Sequence, residues 1–262
     1  MTLFDSRART GPVARINPVA KLAASGLIAV PLILTLDWVS AAVALALESL
    51  LFVFAGLTWR EFWLRTLPVW IGAPLTALTI ALYGEASGQI YLEWFVIRIS
   101  DGSLELAVAT FFRVLAVALP SVVLFVTVDP TDLADGLAQI VRLPARFVLG
   151  ALAGLRMVGL FLDDWRALEL ARRARGVADR GRIRRFFGMA FALLVLSIRR
   201  GSKLATAMEA RGFGAPVRRT WARASVFGGR EWVLVAIGAA ISAIAVTAAV
   251  VFGTWNFILG PS

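Results

Sequence analysis

The chain is 262 residues long and 59% hydrophobic, lacks cysteine and histidine, and carries a formal net charge of +10 at pH 7. Its mean hydropathy of +0.80 and its apolar runs of bilayer length make it a polytopic membrane protein rather than a soluble domain. The missing residue types exclude disulfides, thiolate and imidazole chemistry, any Ser-His-Asp or Cys-His arrangement, and the commonest zinc, copper or nickel ligand.

In chain order, residues 1–17 lack a signal-peptide pattern and read as a short basic tail with Arg7, Arg9 and Arg15, followed by Lys21. A first span is predicted over 22–36. Asp37 marks a short turn, and a second span follows over 38–57. Arg60, Glu61 and Arg65 are assigned to the next loop, before a third span over 67–83. The loop 84–105 is acid-biased, with Glu85, Glu93, Asp101 and Glu105 against Arg98, and a fourth span runs over 106–128. Cytoplasmic loops carry the excess of Lys and Arg, so the N-terminus, the Arg60 loop and the chain after Asp129 are expected inside. The acidic loop is expected outside.

Asp129-Pro130-Thr131-Asp132 is a helix start, with Asp129 as cap and Pro130 in the first turn. Leu133, Leu137, Ile140 and Val141 then fall on one helix face, and Pro144 closes the segment at Leu143. Two further apolar runs follow, 147–162 with Arg156 inside it and 186–198 between arginine pairs. Crossing the bilayer as a hairpin would put the eight arginines of 163–185 outside, against the positive-inside bias. The thirteen residues of the second run also reach only ~20 Å as a helix, short of a ~30 Å hydrocarbon core. Long helices along the inner membrane surface are the preferred reading, with two extra crossings as the alternative. A last span, 232–252, carries Gly238, Ser242 and Ala249 near one stripe, a spacing that lets helices approach closely in lipid. This gives an all-α membrane protein with about five spans and an expected division into 1–128, a coupling segment 129–230, and 231–262 with an external C-terminus.

Charge concentrates in the middle segment, where 165–230 holds sixteen basic against three acidic residues. Flanked by spans, such a block points to cytoplasmic retention and an acidic protein or lipid partner rather than to nucleic acid. Within it stand Ala174-Arg175-Gly176 and Ala210-Arg211-Gly212, each ending an Ala- and Leu-rich run that reads as helix. Gly past the last turn is the usual stop, and a cation before it complements the helix macrodipole. A single such triplet is an ordinary C-cap. Its repetition points to two prongs aimed at a partner.

Glu48 and Arg113 are charged residues inside predicted spans at comparable depth, and an isolated Arg at a helix centre costs about 2.5–3.5 kcal/mol on insertion scales. A Glu48–Arg113 pair is the expectation, the alternative being that each faces a wet crevice or snorkels to the outer surface. No P-loop, dinucleotide fingerprint or intramembrane Asp-x-x-x-Asp is present. The acidic pair Asp163-Asp164 reads as the start of the basic helix. No cofactor or metal site emerges, and an energised function would need its catalytic machinery on another chain. Two rivals stay open at this level: a self-contained channel or carrier, and a membrane-anchored binder of anionic lipid or nucleic acid.

The chain resembles the transmembrane (T) component of energy-coupling factor transporters, the vitamin and metal-cofactor importers of prokaryotes. The resemblance rests on Asn17-Pro18-Val19-Ala20-Lys21-Leu22, on Arg113, on Thr127-Val128-Asp129-Pro130-Thr131-Asp132-Leu133 with Leu143-Pro144, and on the two Ala-Arg-Gly endings with the residues before them. One departure is Arg156-Met157-Val158, where family members often place a proline after an Arg-Phe-Ile-like triplet, at the bend before the second coupling helix. The resemblance implies a non-enzymatic subunit of the prokaryotic inner membrane, with its coupling helices in the cytoplasm. These would dock on two ABC-type ATPase subunits through Arg175 and Arg211. It also implies a small membrane-embedded substrate-binding S component, which would choose the vitamin or metal ion.

Overall fold

Helix α1 (Pro18–Leu34) begins at Asn17, whose side-chain oxygen accepts from Val19 N at 3.0 Å, with Pro18 in the first turn. This is a chemically ordinary start, and it is part of a computed structural model that describes residues 13–52, 56–84, 87–94, 97–176, 181–215 and 220–256. After α1 come α2 (Trp38–Phe52), α3 (Trp59–Tyr83), strands β1 (Ile90–Trp94) and β2 (Ile97–Ser100), and α4 (Asp101–Val126). Helices α5 (Pro130–Gln139), α6 (Ala145–Ala174), α7 (Arg182–Ala210) and α8 (Gly229–Val251) complete an all-α membrane protein with one small hairpin among the described residues. The basic tail at Arg7 and Arg9, Glu85, Arg180, the end of the second predicted span at 53–55 and the chain from residue 257 lie outside those residues.

Three boundaries differ from expectation. Arg60, Glu61 and Arg65 are not loop but the first turns of α3, because Thr58 and Glu61 form a reciprocal capping box. The predicted 84–105 loop contains the antiparallel β1–β2 hairpin, with Glu93 opposite Arg98 and ion-paired to it at 3.0 Å. Ser100 then caps α4, which puts Asp101 and Glu105 inside the helix. Helix α5 is capped by Asp129 as expected, the carboxylate accepting from Thr131 N at 2.7 Å. It stops at Gln139, short of Ile140 and Val141, where Arg142 turns the chain at φ 61° and Leu143 N donates to the Leu137 carbonyl.

The described residues divide into two compact units, 137–224 and 13–136 with 225–256. In the second, α4 lies at the centre: Ala116 packs with Ile28, Leu32, Ala44, Ile241 and Ala245, while Leu115 and Leu119 pack with Ala73 of α3. Small residues set the spacing. A Cβ on Gly238 would stand 2.9 Å from the Ala24 carbonyl oxygen, so α8 touches the backbone of α1 there. Ser242 and Ala249 of the same stripe are also buried.

Helices α1 and α8 run parallel. Asn17 N meets Glu231 at one end, and Leu36 N donates to the Asn256 carbonyl at the other. Lys21 Nζ donates to Thr127 Oγ1 at 2.7 Å, which brings the end of α4 to the start of α1. Thr127 and Ser225 therefore both lie at the start of α1.

By length and composition, α3, α4, α6 and α8 suffice to cross a membrane, and α1 and α2 are shorter apolar helices. The runs 147–162 and 186–198 belong to the long helices α6 and α7 of the other unit. Helix α6 is continuous from Ala145 to Ala174, through Arg156.

Candidate functional site

The two Ala-Arg-Gly triplets take the same local form. Helix α6 ends at Ala174, and Arg175 caps it with φ −87° and ψ 3°, its N–H donating to the Ala171 carbonyl at 3.3 Å. Helix α7 ends at Ala210, and Arg211 follows with φ −91° and ψ 11°. Gly176 and Gly212 then adopt φ +65° and +77°, a left-handed region that a Cβ disfavours and glycine enters freely. Phe213 N returns to the Met208 carbonyl at 2.9 Å, closing the second tip as a Schellman turn. Arg175 and Arg211 are both exposed.

Other arginines of the same two helices are tied to carboxylates. Glu169 accepts from Arg173 at 2.8 Å and from Arg185 at 2.6 Å, joining α6 to α7. Asp164 holds Arg200 through both carboxylate oxygens, a bidentate arrangement that the planar guanidinium favours. Trp165 and Phe186 rings lie 5.7 Å apart between these pairs. Arg175 and Arg211 have no such partner among the described residues. The acidic pair Asp163-Asp164 is thus not a helix start. It lies well inside α6, where Asp163 pairs with Arg166 at 3.5 Å and Asp164 fastens α7. Nothing local in the sequence shows that Asp164 and Arg200 meet, because they are 36 residues apart.

The expected Glu48–Arg113 pair does not form. Glu48 is 2% exposed, and both its carboxylate oxygens are buried without a hydrogen-bond partner, as are Nε and Nη2 of Arg113. Asp37 is buried and caps α2, its carboxylate accepting from Ser40 N at 2.7 Å. Glu48 lies eleven residues further along the chain than Asp37, about 16 Å at the helical rise.

Sequence reading passed over one polar cluster. Asn17 Nδ2 donates to Ser225 Oγ at 2.9 Å and to the Val226 carbonyl at 3.1 Å, while Glu231 accepts from the backbone of Asn17 and of Gly228. The only trace in the sequence was that Asn17 and Lys21 are polar residues opening an apolar run.

A family model described as cobalt transport protein (CbiQ) matches residues 10–221. The chain is 30% identical over 236 residues to the energy-coupling factor transporter transmembrane protein EcfT of Lactococcus lactis subsp. cremoris, covering 84% of this chain and 87% of that one. It is 26% identical over 219 residues to the protein of the same name from Streptococcus equi subsp. equi, covering 79% and 81%.

Proposed function

The chain belongs to the CbiQ family of cobalt transport proteins, and from that premise we propose that it is the energy-coupling subunit of an energy-coupling factor importer. In this reading Arg175 and Arg211 each enter an acidic groove on one of two ABC-type ATPase subunits. Nucleotide-driven movement of the ATPases displaces α6 and α7, and the spans pass that displacement to a small S component that carries a vitamin or transition-metal ion. The N-terminus and the segment 129–230 are cytoplasmic, and the C-terminus is external. Hydrolysis belongs to the partners, and this chain is not an enzyme.

One observation carries the reading: two helix tips of matching backbone geometry each present an exposed arginine with no ion-pair partner among the described residues, while Arg173, Arg185 and Arg200 nearby are ion-paired. Arginine makes two parallel hydrogen bonds to a carboxylate, a geometry lysine does not match. An internally paired arginine has already spent that capacity.

Removing one member of a buried interfacial charge pair costs about 2–5 kcal/mol, so each reversal weakens docking by about 30-fold or more. Arg175→Glu with Arg211→Glu is expected to abolish co-purification of the ATPases and ATP-driven uptake, while the chain still inserts. Arg182→Gln with Arg184→Gln is expected to do far less. Equal losses from both pairs would mean that general basic charge, not the two tips, is responsible. Orientation has its own check, since a chain without cysteine accepts a single label. Cysteine at Gly176 or Gly212 should react with an impermeant maleimide only from the cytoplasmic side, and labelling from outside would refute the model.

A further inference from the structure

Residues 17–21 gather every described lead between the bundle and the segment that bears the arginine tips. Lys21 is 1% exposed, and its ammonium donates to the carbonyl and the hydroxyl of Thr127 at 3.2 and 2.7 Å, at the corner where α4 gives way to α5. Next along that lead is Gly136 of α5. A Cβ there would stand 2.7 Å from Val19 Cγ2 and 3.1 Å from Asn17 Oδ1, so glycine lets α5 lie against these side chains without displacing them. The return lead is held by the same turn of helix. Asn17 Nδ2 bonds Ser225 Oγ and the Val226 carbonyl, and Asn17 N bonds Glu231, whose other oxygen accepts from Gly228 N and caps α8. Outgoing and returning chain are thus fastened to one point by a buried cation and one amide. An N-cap needs only the Asn17 oxygen, so the two donor contacts are in excess of what starting α1 requires.

We propose that Asn17 and Lys21 are positioning residues for energy coupling: they clamp both leads of the coupling segment to the start of α1, so that its displacement moves the spans instead of being absorbed in the leads. The inference rests on the coupling reading above. It assigns to these two side chains the transmission step, as distinct from the docking step of Arg175 and Arg211. Coupling of this kind requires a physically continuous element that responds as one body, and hydrogen bonds that cross from lead to helix supply it here.

The experiment uses the complex with its ATPase and S subunits reconstituted in vesicles. Spin labels are placed on this chain before assembly at Leu78→Cys and Val250→Cys, two exposed span positions in a chain with no cysteine of its own. The readout is the change in their distance distribution on adding ATP and vanadate, and it needs no knowledge of the cargo. Three variants are compared. Asn17→Ser keeps an N-cap oxygen and replaces the two amide N–H donors with one hydroxyl on a shorter side chain, Lys21→Met keeps the stem and removes the ammonium, and Lys21→Arg keeps cation and donors.

In Asn17→Ser and Lys21→Met the shifted population should fall by about five-fold or more, the scale of ordinary coupling free energies. ATPase co-purification and hydrolysis should be retained, and Lys21→Arg should behave like the unmodified complex. Unchanged shifts overturn the proposal. So does a parallel loss of ATPase binding, or failure of both variants to assemble, since either result assigns the residues to folding alone. If the unmodified chain recruits no ATPase, it is the coupling reading that fails, and that result is distinct from the others.

Discussion

In the bundle of α1–α4 and α8, the buried positions are largely small: Ala20, Ala24, Ala44, Ala73, Ala116 and Ala245, with Ser40, Ser103 and Gly238 among them. Along α6 and α7, by contrast, only Val148 and Met189 are buried among the described residues, while Ile183, Phe187, Phe191 and Leu194 are 55–75% exposed. The large apolar side chains thus lie outward in the helix pair, and the small ones lie inward in the bundle. Lipid removes the hydrophobic incentive to bury large residues between spans, leaving close backbone approach as the source of cohesion. An extended apolar face that a chain leaves uncovered marks a membrane or protein contact. Both units turn large apolar side chains outward, Trp59 and Val251 of the bundle included; what differs is the inside, where small residues meet in the bundle and ion pairs join α6 to α7.

Breaking that contrast should give effects of graded size on the chain alone. The largest is expected at Gly238→Val, which drives a branched side chain into the α1 backbone and should cost about 1–3 kcal/mol by overpacking, read as a lowered unfolding midpoint in detergent. A smaller effect is expected at Asp164–Arg200. The pair is partly exposed, so a double-mutant cycle with Asp164→Asn and Arg200→Gln should return a coupling of about 1 kcal/mol or less, falling as salt is raised. A coupling several times larger would mean that α6 and α7 are closed by this pair and not merely fastened by it. The smallest is Phe187→Ser with Phe191→Ser, which should leave the isolated chain within about 0.5 kcal/mol while weakening assembly or membrane association. A drop in stability as large as that of Gly238→Val would show that these rings are core after all.

The features that were legible before the fold are those with a short-range cause. The Ala-Arg-Gly tips follow from helix propensity and from glycine entering the left-handed region, so Gly176 and Gly212 end α6 and α7 where the sequence places them. Asp129 and Pro130 open α5 for the same reason. The start of α3 was equally legible in Thr58 and Glu61, but counting charges at Arg60, Glu61 and Arg65 as loop hid the capping box. The hairpin was written in the β-branched and aromatic residues Ile90, Tyr91, Ile97 and Ile99, and was passed over for the acidic bias of its surroundings.

Partnerships between helices were not legible. Glu48 and Arg113 looked like complements because both are ionisable and apolar-flanked, yet pairing depends on the rotation and axial offset of α2 against α4, which composition does not encode. Asp37, read as a turn residue, is buried and caps α2.

By itself the sequence determined that the chain is an all-helical membrane protein, which arginines stand at helix ends, and which chemistry is absent, since these follow from composition and from forces acting within a turn or two. Only the tertiary structure decided which arginines are ion-paired among the described residues, and that Asn17 and Lys21 bind Ser225, Val226 and Thr127. Those outcomes depend on groups up to 214 residues apart meeting at hydrogen-bonding distance, and such encounters are set by how whole helices pack.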